Sequence, residues 1–155
     1  MSRVPFVSVV AVLVAAGQAA CGFDACGEAA ESTASTAPRL ENLRFANQLD
    51  GDPWTLVFGA QFTDVDGDLQ PGFAEFHLNG ATEPSGRFPL ESVFRQSALP
   101  PDAQGGELAL TLRLVRPVDD GSDLRVGLRL IDSAGQPSNC YPVEVEFSVS
   151  QIGRS

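Results

Sequence analysis

The chain has 155 residues, a net charge of −10 and 43% apolar residues, so it is long enough for one domain with a core and too apolar for a disordered chain. All ten basic residues are arginines, which excludes Schiff-base and P-loop lysine chemistry. The acidic balance repels phosphate backbones, so a nucleic-acid partner is not expected.

Arg3 precedes an uncharged apolar run, VPFVSVVAVLVAA, from Val4 to Ala16. The run is shorter than the roughly 20 residues of a membrane-spanning helix and matches a secretory signal core. GQAA, Gly17 to Ala20, supplies the small residues that follow such a core. A helical signal segment over residues 1–20 and export are therefore expected. Two processing routes stay open. Gly17 and Ala19 suit cleavage after Ala19, which would give a secreted protein. QAAC, Gln18 to Cys21, resembles a bacterial lipobox, although Gln18 stands where an aliphatic residue is usual. That resemblance implies that Cys21 is diacylated, becomes the mature N-terminus and anchors the protein to a membrane at the cell envelope. Residues 21–38 then read as a lipidated N-terminus and a flexible polar tether.

Export places cysteines in an oxidising compartment, and there are three of them, Cys21, Cys26 and Cys140. Acylation of Cys21 leaves Cys26 to pair with Cys140. The rival pairing, Cys21 with Cys26, leaves Cys140 alone. With no histidine near these cysteines, a zinc site is not expected.

From Leu40 onward the apolar period is two. Leu40 to Phe45 reads as a first strand, with imperfect alternation. Trp54, Leu56, Phe58, Ala60 and Phe62 alternate with Thr55, Val57, Gly59 and Gln61, and Ala74, Phe76 and Leu78 alternate with Glu75 and His77. Phe88 to Phe94 reads as a weaker strand, which Pro89 confines to an edge. Leu108 to Leu114, Leu124 to Leu130 and Val143 to Val149 alternate cleanly, and turns rich in Gly, Pro, Asn and Asp separate all of these runs. No helical period competes beyond the signal segment. Leu110, Leu112, Val126, Leu128, Val145 and Phe147 are the expected centre of the core. Arg113, Arg125 and Arg129 are placed on exposed faces, where they can form a cross-strand ladder with Glu144 and Glu146. The fold class expected is all-β: an antiparallel sandwich of about seven strands over residues 39–150.

Asp64-Val65-Asp66-Gly67-Asp68 is the one motif with specific chemistry. Carboxylates at i, i+2 and i+4 can wrap a hard cation such as Ca²⁺, and Glu75 falls at the twelfth position from Asp64, as in a helix–loop–helix calcium loop. Gly67 and the predicted flanking strands do not follow that motif. The same residues also suit a polar turn, with Asp side chains on local backbone and Gly67 at positive φ. His77, the single histidine, reads as a solvated strand residue without catalytic partners. No enzyme activity, and no cofactor other than calcium, is expected.

FTDVDGDLQPGFAEFHL, Phe62 to Leu78, resembles the B strand, acidic turn and C strand of bacterial immunoglobulin-like domains. LRVGLRLIDSAGQPSN, Leu124 to Asn139, is similar to their penultimate strand and the turn before the last strand. The resemblance implies an immunoglobulin-like sandwich acting as a structural or adhesive surface module. An anchored protein is expected to have a structural or protein-binding role with a protein partner at the envelope, and a secreted, non-lipidated one to be a ligand-binding or adhesion module, calcium-dependent through the acidic turn.

Overall fold

The computed structural model describes residues 25–27, 32–49, 52–115 and 123–146. The expected signal segment, Cys21 and Phe147 lie outside these residues. Among the described residues there are seven strands and one short helix. In chain order they are β1 (Arg39–Leu49), β2 (Asp52–Thr63), β3 (Phe73–Leu78), β4 (Gly86–Pro89), α1 (Leu90–Gln96), β5 (Gly105–Arg113), β6 (Asp123–Ile131) and β7 (Tyr141–Glu146).

All pairings are antiparallel. One sheet has the order β1-β2-β5 and the other β4-β3-β6-β7. Period-two patterning explains why they meet face to face. Leu56, Phe58, Ala60 and Phe62 of β2 point inward with Leu108, Leu110 and Leu112 of β5, against Ala74, Phe76, Val126, Leu128, Leu130 and Val145 of the second sheet. Phe58 and Phe76 touch across the gap with ring centroids 5.4 Å apart. Each Leu, Val or Phe side chain among these, fully removed from water, contributes about 1.5–3 kcal/mol. The core expected from sequence is found at Leu110, Leu112, Val126, Leu128 and Val145, each at most 2% exposed.

Three expectations are corrected. The run from Phe88 to Phe94 is not one strand: it pairs as edge strand β4 only to Pro89, and α1 begins at Leu90. Leu90, Val93 and Phe94 recur at helical spacing and are buried, while Pro89 caps the start with an extended backbone. Phe94 reaches Phe62 with centroids 5.6 Å apart, and Ser97 just beyond α1 accepts a hydrogen bond through Oγ from the Ala109 amide, 2.8 Å. The helix thus carries the chain from the edge of one sheet to the edge of the other. Second, His77 is not solvated but 0% exposed. Third, the arginine ladder is divided. Arg125 pairs with Glu144 at 2.8 Å, Arg129 pairs instead with Glu75 at 2.8 Å, and Arg113 belongs to the other sheet.

Cross-strand register accounts for the divided ladder, since Arg129 stands opposite Glu75 on β3 and Arg125 opposite Glu144 on β7. Alternation assumes that the outer face of each sheet is wet, and on the four-stranded sheet it is partly covered. His77, Gly127 and Pro142 form a row across β3, β6 and β7. Ala25 and Cys26 lie on that row, and a Cβ on Gly127 would stand 2.6 Å from the Ala25 carbonyl oxygen and 2.9 Å from Cys26 Sγ. The next row places Arg87, Glu75 and Arg129 on β4, β3 and β6, so Glu75 is flanked by two cations, with Arg87 Nε at 3.4 Å.

Candidate functional site

The N-terminal segment is fastened by a disulfide between Cys26 and Cys140, whose Cα atoms lie 5.9 Å apart, well within the reach of the bond. Ala25 and Cys26 are buried. Farther along, the Ser32 amide donates to the Pro137 carbonyl at 3.3 Å, and Pro38 is buried. Within the segment expected to be a tether, the chain thus meets the domain at Ala25, Cys26, Ser32 and Pro38, while Thr33, Ala34 and Ser35 are exposed. The pairing expected from acylation of Cys21 is the one present.

The turn before β7 explains how this seam is made. The Asp132 side chain accepts the Gln136 amide at 2.7 Å, and Gly135 at φ +82 lets the chain reverse. Ser138 Oγ accepts the Leu130 amide at 2.9 Å. The Asn139 side-chain amide takes the place of a strand partner for β1, its Oδ1 accepting from the Leu40 amide at 2.8 Å and its Nδ2 donating to the Leu40 carbonyl at 3.0 Å. Cys140 follows directly, held in register to meet Cys26.

The acidic turn lies where β2 ends. The Asp64 amide donates to the Gln104 carbonyl at 2.9 Å, and the Gln104 side chain donates to the Val65 carbonyl at 2.6 Å, which ties the turn to the start of β5. The Ser133 amide donates to the Asp68 carbonyl at 3.0 Å, which ties it to the end of β6. Gly67 has φ +67, and a Cβ there would stand 2.8 Å from the Asp102 carbonyl oxygen. Asp64 Oδ2 accepts the Leu69 amide at 2.9 Å. These bonds match the polar-turn reading, but they do not account for every oxygen.

Asp64, Asp66 and Asp68 each present a carboxylate oxygen, and all three lie within 4.8 Å of one another. Asp64 is 0% exposed, and its Oδ1 has no hydrogen-bond partner. Asp68 Oδ1 and Asp132 Oδ2 are likewise buried without partners. Among the described residues no arginine forms an ion pair with this cluster. Burial, then the adjacent Asp66 carboxylate and the Asp68 charge, push the Asp64 carboxyl up to about 6, against the opposing Leu69 hydrogen bond. The Asp68 carboxyl is raised by burial, by contact with Asp66 and by the charges of Asp132 and Asp66. Glu75 is not part of the cluster; it faces Arg129 and Arg87 on the outer face of the sheet.

The Nδ1 atom of His77 is 2.9 Å from the Ala81 carbonyl, which can only accept, so Nδ1 carries a proton. Its Nε2 is buried without a hydrogen-bond partner, 3.8 Å from Glu75 Oε2.

Sequence reasoning missed Asp132 and Ser133, which the fold brings beside Asp68, because they stand far away in the chain. It also missed Gly127. A glycine in the middle of an apolar strand is a signal of close backbone approach. No protein-family model matches the chain, and no curated protein matches it in sequence.

Proposed function

We propose that the chain is an exported lipoprotein of the bacterial cell envelope, diacylated at Cys21, whose single immunoglobulin-like sandwich has a structural or protein-binding role rather than a catalytic one. The observation that carries this reading is the Cys26–Cys140 disulfide. Such bonds persist in oxidising compartments, and this one uses two of the three cysteines, leaving Cys21 for the lipid. Two chains on one cysteine suffice for stable anchoring, where one does not.

The strand order supports the immunoglobulin-like assignment. β1, β2 and β5 share a sheet as strands A, B and E do, and β3, β6 and β7 share one as C, F and G do. β4 lies beside β3, so it takes a place next to strand C rather than next to strand E.

The disulfide also limits the reach of the anchor. Five residue steps separate Cys21 from Cys26, at most about 18 Å of extended chain. A lipid on Cys21 therefore holds the covered face of β3, β6 and β7 close to the membrane instead of on a long leash.

Membrane fractionation of cells making the wild type and Cys21→Ser tests this. The wild type is expected in the membrane fraction with incorporated fatty acid. Cys21→Ser is expected to be released or to accumulate unprocessed. An unmodified mature N-terminus at Ala20, with the protein in the soluble fraction, would overturn the anchor and favour a secreted module.

A further inference from the structure

We propose that the β2–β3 turn is a calcium site, in which carboxylate oxygens of Asp64, Asp66 and Asp68 hold one Ca²⁺. The inference is independent of the membrane anchor.

Geometry is the first support. Two oxygens bound to one Ca²⁺ at about 2.3–2.6 Å can lie no more than about 5 Å apart. The three carboxylate oxygens meet this limit, all lying within 4.8 Å of one another. The second support is Asp64 itself. A carboxylate oxygen only accepts, and Asp64 Oδ1 is sealed from solvent with no donor facing it. A buried acceptor in this position is costly unless a proton, a water or a cation meets it. Asp68 Oδ1 has the same unmet need.

Charge selects among these occupants. Three carboxylates converge with Asp132 behind them and no arginine paired to any of them among the described residues, so a divalent cation relieves more repulsion than a water does. Oxygen-only ligands select a hard cation. Several directly bound carboxylates suit Ca²⁺, with its loose six- to eight-fold shell, better than Mg²⁺, which keeps its waters.

The fold holds the ligands in place before any ion arrives. Gln104 fixes the turn to the β5 side and Ser133 fixes it to the β6 side, so the ion would brace a junction between the two sheets.

Calorimetric titration of CaCl₂ and of MgCl₂ into the EGTA-stripped, detergent-solubilised full chain is the test, with thermal melts in parallel. Wild type is expected to show one saturable Ca²⁺ site with a Kd of about 0.1–1 mM, as in extracellular modules, and weaker Mg²⁺ binding. At about ten times that Kd, Tm is expected to rise by at least about 4 °C. Asp66→Asn and Asp68→Asn are expected to weaken Ca²⁺ binding by at least about tenfold. Asp66 is exposed, so its variant folds, and with one charge fewer in the cluster its Tm in EGTA is expected to equal or exceed the wild type's. A wild type with neither saturable heat nor a Tm rise in Ca²⁺ would overturn the proposal and assign the cluster a shared proton or a water. Unchanged affinity in both variants, or Mg²⁺ binding as tight as Ca²⁺, would overturn it as well.

Discussion

Asp64 has one carboxylate oxygen engaged by the Leu69 amide and one engaged by nothing. Its proton affinity follows from that placement, with the carboxyl raised from 3.8 to about 6. A carboxyl raised by folding is protonated more readily in the native chain than in the unfolded one, so its stabilisation is complete below the unfolded pKa and is lost as pH rises through the folded one. Asp52 has the opposite sign: hydrogen bonds from Thr55 and the Trp54 amide lower its pKa, so it weakens the fold only in stronger acid. Thermal melts in EGTA should therefore show Tm rising as pH falls from about 7 to about 5, and Asp64→Asn should remove most of that rise. A wild-type Tm that is flat or falling over this interval would show that the Asp64 carboxyl is not raised.

At the scale of elements, β6 shows what alternation can and cannot convey. Val126, Leu128 and Leu130 announce its inward face, and all three are 0% exposed. Gly127, between them, sits beneath Ala25 and Cys26. Gly127→Ala is expected to cost about 1–3 kcal/mol in urea unfolding, because its Cβ would press on backbone and sulfur that cannot both yield. In a Cys26→Ser, Cys140→Ser background the segment is free to lift, and the cost should shrink toward zero. An equal cost in both backgrounds would mean that the segment does not rest on β6. The strands were legible because each buries one face over several residues, which repeats the same signal. α1 was not, because Leu90, Val93 and Phe94 occupy barely two turns and Pro89 serves both as the last residue of β4 and as the helix cap. His77 is buried on the outer face of β3 because the Ala81 carbonyl of the following turn meets its ring and the row it shares with Gly127 is covered at Gly127 by Ala25 and Cys26 from far upstream, and no local period records either cover. The acidic turn was legible as a cluster, but the neighbours that bind it, Gln104 and Ser133, became visible only once the two sheets were stacked.

For the molecule as a whole, one covalent link joins the described start of the chain to the threshold of the last strand, with a sequence separation of 114. Closing a loop of that size stabilises by about 4–5 kcal/mol in the chain-entropy picture. The proposed anchor rests on the same link, because it leaves Cys21 as the cysteine outside the pair. Mass-spectrometric peptide mapping of the non-reduced mature protein, recovered from the membrane fraction, tests this most directly. A Cys26 peptide joined to a Cys140 peptide is expected, with Cys21 at the N-terminus carrying a diacylglyceryl group. A Cys21–Cys26 peptide, or a free thiol at Cys140, would contradict it.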